Sequence, residues 1–176
     1  YAPDKETTPY LDKLAESSIV AERAYAVVPH TSKAMISLFC GIEARLIMPV
    51  TESLEGAVPA RCIADLLGDE GYQTAFFQPS RRNFEGWPQL VENLGFQRFT
   101  SLENMDKAGF EKVNYFGRED DIMLEPSRDW LERRAADNQP FFVSYLTLTP
   151  HHQYLAPDKY GHHDYVDRPI LNRYLN

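Results

Sequence analysis

The chain has 176 residues, 43% of them hydrophobic and 12% aromatic, so it can bury the core of one domain and is not a disordered segment. With 18 basic against 26 acidic residues and a net charge of −8, it offers no broad basic surface, which excludes nucleic acid as the expected partner. No apolar run reaches the ~20 residues that span a bilayer, and no leader-like segment opens the chain. Cys40 and Cys62, the only cysteines, sit in apolar helical patterns with no metal-type spacing. They are expected as buried thiols, with neither a zinc site nor a disulfide.

In chain order, Thr8-Pro9 opens a short helix over residues 10–17, proline occupying a first-turn position where its missing N–H is not needed. Residues 18–28 read as a strand. Ile19, Ala21, Arg23 and Tyr25 alternate with Val20, Glu22 and Ala24, leaving the buried face ambiguous. From Thr31 the apolar residues Ala34, Met35, Leu38 and Phe39 recur at helical spacing, with His30 or Thr31 as N-cap and Gly41 as the stop. Ile63, Leu66 and Leu67 predict the next helix, closed near Gly71, followed by a strand over 72–77. The helix-then-strand order repeats over 88–94 and 96–99. Residues 101–117 have mixed charge and no clean period, which predicts a surface connection with one short hairpin.

The longest helix is expected over 118–136, with Pro126 in its first turns or splitting it. The continuous apolar run 140–146 predicts an interior parallel strand covered on both faces. Helices alternating with such strands give an α/β fold, a layered and mainly parallel sheet with helices on both faces.

Three segments could carry chemistry. The first is Val28-Pro29-His30-Thr31-Ser32-Lys33, at a strand-to-helix junction. A helix N-terminus there presents free N–H groups and partial positive charge to an anion beyond the carboxyl edge of the sheet. Taken locally, Thr31 is accounted for by helix capping. It could also act as a nucleophile if a metal or base lowered its pKa, with Lys33 adding charge. The second segment is Thr149-Pro150-His151-His152 after the apolar strand, where His151 could bind an oxyanion or protonate a leaving group; solvated loop residues would look the same. The third is the loop with Arg81, Arg82 and Trp87, which reads as an anion site or an ordinary solvated loop. His162 and His163, with Asp158 and Asp164, form only a loose set of metal ligands.

In order and spacing these segments resemble the sulfatase-type domain of the alkaline phosphatase superfamily. Thr8-Pro9-Tyr10-Leu11-Asp12-Lys13-Leu14-Ala15 is similar to the family's TPNLDxLA helix, Gly71-Tyr72-Gln73-Thr74-Ala75-Phe76-Phe77 to its GYxTaff strand, and Pro140-Phe141-Phe142 with Pro150-His151 to its PFFlf…H segment. Aligning Leu38-Phe39-Cys40-Gly41 with the family's LLTG helix end puts Thr31 at the first residue of C/S-x-P-S-R. Thr31 cannot become the formylglycine of sulfatases, and Lys33 and Met35 replace the proline and arginine. Thr31-Ser32-Lys33-Ala34 is similar instead to the TSDAE nucleophile segment of lipoteichoic-acid-synthase-like phosphoglycerol transferases.

The resemblance implies a partial alkaline-phosphatase-like fold over residues 1–176, read as one truncated catalytic domain. It implies a phosphoester hydrolase or phosphoryl transferase, with Thr31 as nucleophile and metal ligand, and with Lys33 and His151 on the substrate. The alternatives are a sulfuric ester hydrolase and a non-catalytic module that binds an anionic glycan or lipid head group. The implied cofactor is a divalent ion (Mn, Mg, Ca or Zn). Its other ligands lie on a strand before Tyr1 and in an Asp-His segment after Asn176, so the 176-residue chain alone is expected to be inactive. The implied setting is extracytoplasmic, with a small-molecule, lipid or glycan phosphoester or sulfate ester as substrate.

Overall fold

The computed structural model describes residues 5–45 and 50–176. Its centre is the strand β1 (Gln73–Phe77), in which Thr74, Ala75, Phe76 and Phe77 are all buried. Parallel partners flank it, β2 (Arg98–Thr100) pairing through Phe76↔Phe99 and β3 (Phe141–Tyr145) through Ala75↔Val143, in the order β2-β1-β3. Because successive side chains of a strand point to opposite faces, β1 feeds two cores. Phe76 joins Met35, Ile36, Trp87, Leu90 and Phe96 on one face. Ala75 and Phe77 join Leu102, Ile122, Met123 and Trp130 on the other.

The helices follow from these two faces. On the Phe76 side lie α2 (Thr31–Cys40), which supplies Met35 and Ile36, α3 (Ile63–Asp69), and α4 (Trp87–Asn93), which supplies Trp87, Leu90 and Val91. On the Phe77 side, a 3₁₀ turn at Asp120–Met123 runs into α5 (Leu124–Ala136), whose third residue is Pro126. A layered parallel sheet with helices on both faces is therefore present. Two short helices stand apart: α1 (Pro9–Ala15), which buries no residue, and α6 (Pro169–Leu175), whose buried Asn172 accepts the Tyr165 and Val166 amides.

Three local devices set the helix ends beneath the site. Gly41 closes α2 with φ 66°, a left-handed conformation that costs a side-chain-bearing residue strain. At the start of α3 the Asp65 carboxylate reaches back to the Cys62 amide at 3.1 Å. Gly95, with φ 84°, packs so closely on Asp65 that an added Cβ would overlap it.

Several expectations are corrected. Residues 18–28 form no strand: Ile19 is fully exposed and Tyr25 is 84% exposed. Neither alternating set of side chains was uniformly apolar, and no described strand lies beside the segment to complete a ladder. β3 is an edge strand among the described residues, with Phe141 and Tyr145 each 42% exposed, and β1 takes the interior position. Residues 101–117 are not merely a surface connection, since Leu102, Met105 and Val113 are buried. In place of a hairpin confined to that stretch, one antiparallel bridge joins Lys112 to Arg118 just beyond its end.

The cysteines are also corrected. Cys40, at the end of α2, and Cys62, at the start of α3, form a disulfide across a separation of 22 residues. The sequence spacing carries no signature of this pairing. It arises because α2 and α3 pack on the same face of β1. Cross-linking a loop of this size constrains the unfolded chain by about 3 kcal/mol. Reduction, or Cys40→Ser with Cys62→Ser, should lower the unfolding free energy by that amount and shift the denaturant midpoint down accordingly; equal midpoints with and without reductant would show that the bond contributes nothing.

Candidate functional site at the N-terminus of α2

A cavity of ≈ 210 Å³ opens at the carboxyl ends of β1 and β3. The α2 N-terminus supplies His30 and Thr31 to its wall, the segment after β3 supplies Leu148 and His151, and Glu85 and Trp87 close it from the start of α4. Thr31 and His151, 120 positions apart in sequence, thus line one concavity. Ligands of open α/β sheets sit in such a place because the strands stop there while helix N-termini point toward it.

The geometry separates the two readings of Thr31. His30 is the N-cap, with extended φ −151° and ψ 121°, and Thr31 is the first residue inside the helix. No side-chain capping bond is made at this N-terminus. Thr31 is exposed, and its hydroxyl makes no hydrogen bond to a described residue. The hydroxyl is thus free to meet a ligand in the cavity.

Around it, Ser32 donates from Oγ to Glu85 Oε2 at 2.8 Å, and His30 Nε2 lies 3.5 Å from Glu85 Oε1. Glu85 holds this place with φ 47°, a left-handed conformation unusual for a residue with a side chain. It is a member of the site that sequence reading missed. It belongs to the loop that carries Arg81 and Arg82, and nothing in the sequence said that its carboxylate would meet Ser32 and His30.

Lys33 does not line the cavity. It points into the interior, 2% exposed, with Nζ 3.0 and 3.2 Å from the two carboxylate oxygens of Glu52. The exposed positive charge expected at this position is instead a buried ion pair beneath the helix. Arg82 is likewise occupied elsewhere, its guanidinium over the Phe99 ring at 5.1 Å and its amide on Glu103. His162 lies beside Asp164 at 3.7 Å, near α6.

The His151 segment is braced from the opposite face of the sheet. His151 packs edge-on against Phe116 at 4.8 Å, and Phe116 also lines the cavity. Farther along, Glu119, 1% exposed, receives Lys159 Nζ at 2.6 Å and the Glu111 amide at 3.0 Å. Burial pushes the Glu119 pKa up, but the hydrogen bonds from Lys159 and Glu111 and the Lys159 charge outweigh it, leaving the group below its ordinary 4.5. A lowered folded value stabilises the native state at pH above the unfolded pKa, and that contribution disappears as pH falls through the folded value. The urea midpoint should therefore drop on acidification below about pH 4.5, and by less in Lys159→Met. Identical acid profiles for the two proteins would remove Glu119 as a source of the drop.

One exposed hydroxyl from Thr31 suits a divalent ion as a single oxygen ligand. Among the described residues no group of three or more His, Cys, Asp or Glu side chains is placed to complete such a site.

The sulfatase family model matches residues 1–176. The chain belongs to the sulfatase family. Among its relatives, the ulvan-active sulfatase of Formosa agariphila is 26% identical over 195 residues, an alignment covering 98% of this chain and 36% of that protein. Phosphoglycerol transferase I of Xanthomonas euvesicatoria pv. vesicatoria is 26% identical over 95 residues, covering 53% of this chain and 14% of that protein. Among solved structures, the lipoteichoic acid synthase LtaP from Listeria monocytogenes superposes with a TM-score of 0.84 at 18% identity, over 99% of this chain and 43% of that one. An alkaline phosphatase superfamily protein from Vibrio parahaemolyticus gives a TM-score of 0.75 at 24% identity. The sulfatase-family chain described here therefore spans less than half the length of these relatives, and its three-stranded sheet has the alkaline-phosphatase-like fold.

Proposed function

We propose that the protein is a metal-dependent phosphoester hydrolase or phosphoglycerol-type phosphoryl transferase in which Thr31 is the nucleophile. The observation that carries this reading is the exposed, unbonded hydroxyl of Thr31 at the first position of α2, in the wall of a cavity shared with His151. Free N–H groups of the first helical turn meet the anionic phosphoryl oxygens. The Thr31 hydroxyl gives up its proton to solvent as its oxygen attacks phosphorus and the Oγ–P bond forms, and the bond to the leaving alcohol breaks as His151 supplies that alcohol with a proton. Attack by water or by an acceptor alcohol, whose proton passes to His151, then breaks the Oγ–P bond, and the Thr31 oxygen regains its proton from solvent. A divalent ion bound at Thr31 would lower the hydroxyl pKa and neutralise charge on the phosphoryl group. Its remaining ligands would come from residues outside this chain.

Relatives that are phosphoglycerol transferases support the phosphoryl reading, as does threonine in place of the cysteine or serine that becomes formylglycine. A sulfuric ester hydrolase is the second reading, favoured by the sulfatase relative aligned over 98% of the chain. The Cys40–Cys62 disulfide supports an extracytoplasmic setting, where such bonds persist. No helix of the described residues is long and apolar enough to cross a membrane.

The test uses the intact protein that contains this chain, with added Mn²⁺ or Mg²⁺. A phosphodiester substrate should leave a phosphorylated peptide containing Thr31, detected by mass spectrometry after acid quench. Turnover of aryl sulfate with no phosphodiester turnover would transfer the assignment to the sulfatase reading.

A further inference from the structure

β3 ends at Tyr145, and the chain then runs through residues 146–151 outside any strand or helix to reach His151. Such a segment has no ladder to hold it. Its first residue still bonds to the sheet, Leu146 N–H to the Phe77 carbonyl at 3.0 Å, but beyond that the order comes from side chains. Asp120, the first residue of the 3₁₀ turn before α5, supplies most of it. Its Oδ1 accepts the Leu148 amide at 2.6 Å and its Oδ2 accepts the Thr149 amide at 3.1 Å. The Asp120 amide in turn donates to Thr149 Oγ1 at 3.4 Å.

The carbonyl side of Leu148 is held as well. Buried Asn114 donates from Nδ2 to it at 3.4 Å, and the His151 amide closes a turn onto it at 3.0 Å. The Oδ1 atom of the same Asn114 accepts the Phe116 amide at 2.9 Å, fixing the residue whose ring meets His151 edge-on. Leu148 is therefore gripped at its N–H by Asp120 and at its C=O by Asn114, three residues before His151. Asp120 does not line the cavity itself.

We propose that Asp120 is a positioning residue, whose carboxylate sets the 148–151 turn and so aims His151 at the group bound beside Thr31. This rests on the role given to His151 above. A carboxylate accepting two successive backbone amides makes charge-assisted bonds in a fixed fork, which suits the task better than a neutral side chain. Asn at this position would turn an N–H₂ toward one of the two amides. A misplacement of about 1 Å at a reacting group lowers rate by up to about 100-fold.

The experiment is a double-mutant cycle in the intact protein, with phosphodiester turnover and hydrogen exchange read on the same samples. Asp120→Asn should lower kcat about 10- to 100-fold with little change in KM, and raise amide exchange across residues 146–151 while α5 keeps its protection. In the His151→Ala background the same substitution should change kcat less than about twofold, because its target is gone. An unchanged exchange pattern overturns the proposal, and so does an equal loss in both backgrounds. If His151→Ala alone keeps wild-type turnover, the role of His151 fails and that of Asp120 fails with it. If Thr31→Ala keeps wild-type turnover, the nucleophile assignment fails separately, and the Asp120–His151 coupling is still read from the cycle.

Discussion

Replacing Thr31 by alanine in the intact protein is expected to lower phosphodiester turnover by about 10⁴-fold or more, the scale on which removing a covalent nucleophile acts. The same substitution should leave the unfolding free energy within about 0.5 kcal/mol of the parent protein. These two outcomes together discriminate between the readings of the residue. A threonine that capped α2 would lose about 1 kcal/mol on truncation. His30, however, holds the cap position, and the Thr31 hydroxyl makes no bond to a described residue, so its removal opens no unsatisfied group. Thr31→Ser should retain most of the turnover, because it keeps the attacking oxygen. Wild-type turnover in Thr31→Ala would refute the nucleophile assignment, and a loss of stability without loss of turnover would restore the capping role.

The second large effect lies two residues on. Lys33 and Glu52 form an ion pair with side chains 2% and 7% exposed, and both Glu52 oxygens lie within hydrogen-bonding distance of Nζ. Burying two charges carries a desolvation penalty that their mutual attraction offsets only while both are present. Lys33→Met or Glu52→Leu alone should therefore destabilise the protein by about 3–5 kcal/mol, leaving the other group buried without its partner. The double substitution Lys33→Met with Glu52→Leu should recover most of that loss, since it buries no charge. Chemical denaturation of the four proteins measures the cycle. Additive losses in the double variant would mean that the two side chains act independently of each other.

The pair matters to the site through its position. Glu52 belongs to the segment whose main chain is tied to α4, Asn93 Nδ2 donating to the Glu52 carbonyl at 2.8 Å and to that of Leu54 at 2.7 Å. Lys33 thus couples the first turn of α2, which carries Thr31, to the helix whose start carries Trp87 and follows Glu85. The charge expected on the substrate instead pairs with Glu52 beneath the helix whose first residue is Thr31.

The sequence by itself determined the elements whose signal is local. The helical period from Thr31 to Phe39, the stop at Gly41, the run Thr74 to Phe77 and the early Pro126 each encode their structure within a few residues, and the helices and strands formed there. It also placed His151 beyond the end of a strand that formed, whereas the strand expected before Thr31 did not, and the ordered motifs carried the family. The tertiary structure alone decided matters that depend on distant partners. Residues 18–28 had strand-like composition but no described neighbour to pair with, and the run 140–146 looked interior while β1 took that position. The disulfide, the burial of Lys33 on Glu52, the meeting of Glu85 with Ser32, and the grip of Asp120 on Leu148 all join residues separated by 19 positions or more. No periodicity encodes such a meeting. It follows only when both faces of β1 are covered and the helix ends and loops are brought to one edge of the sheet.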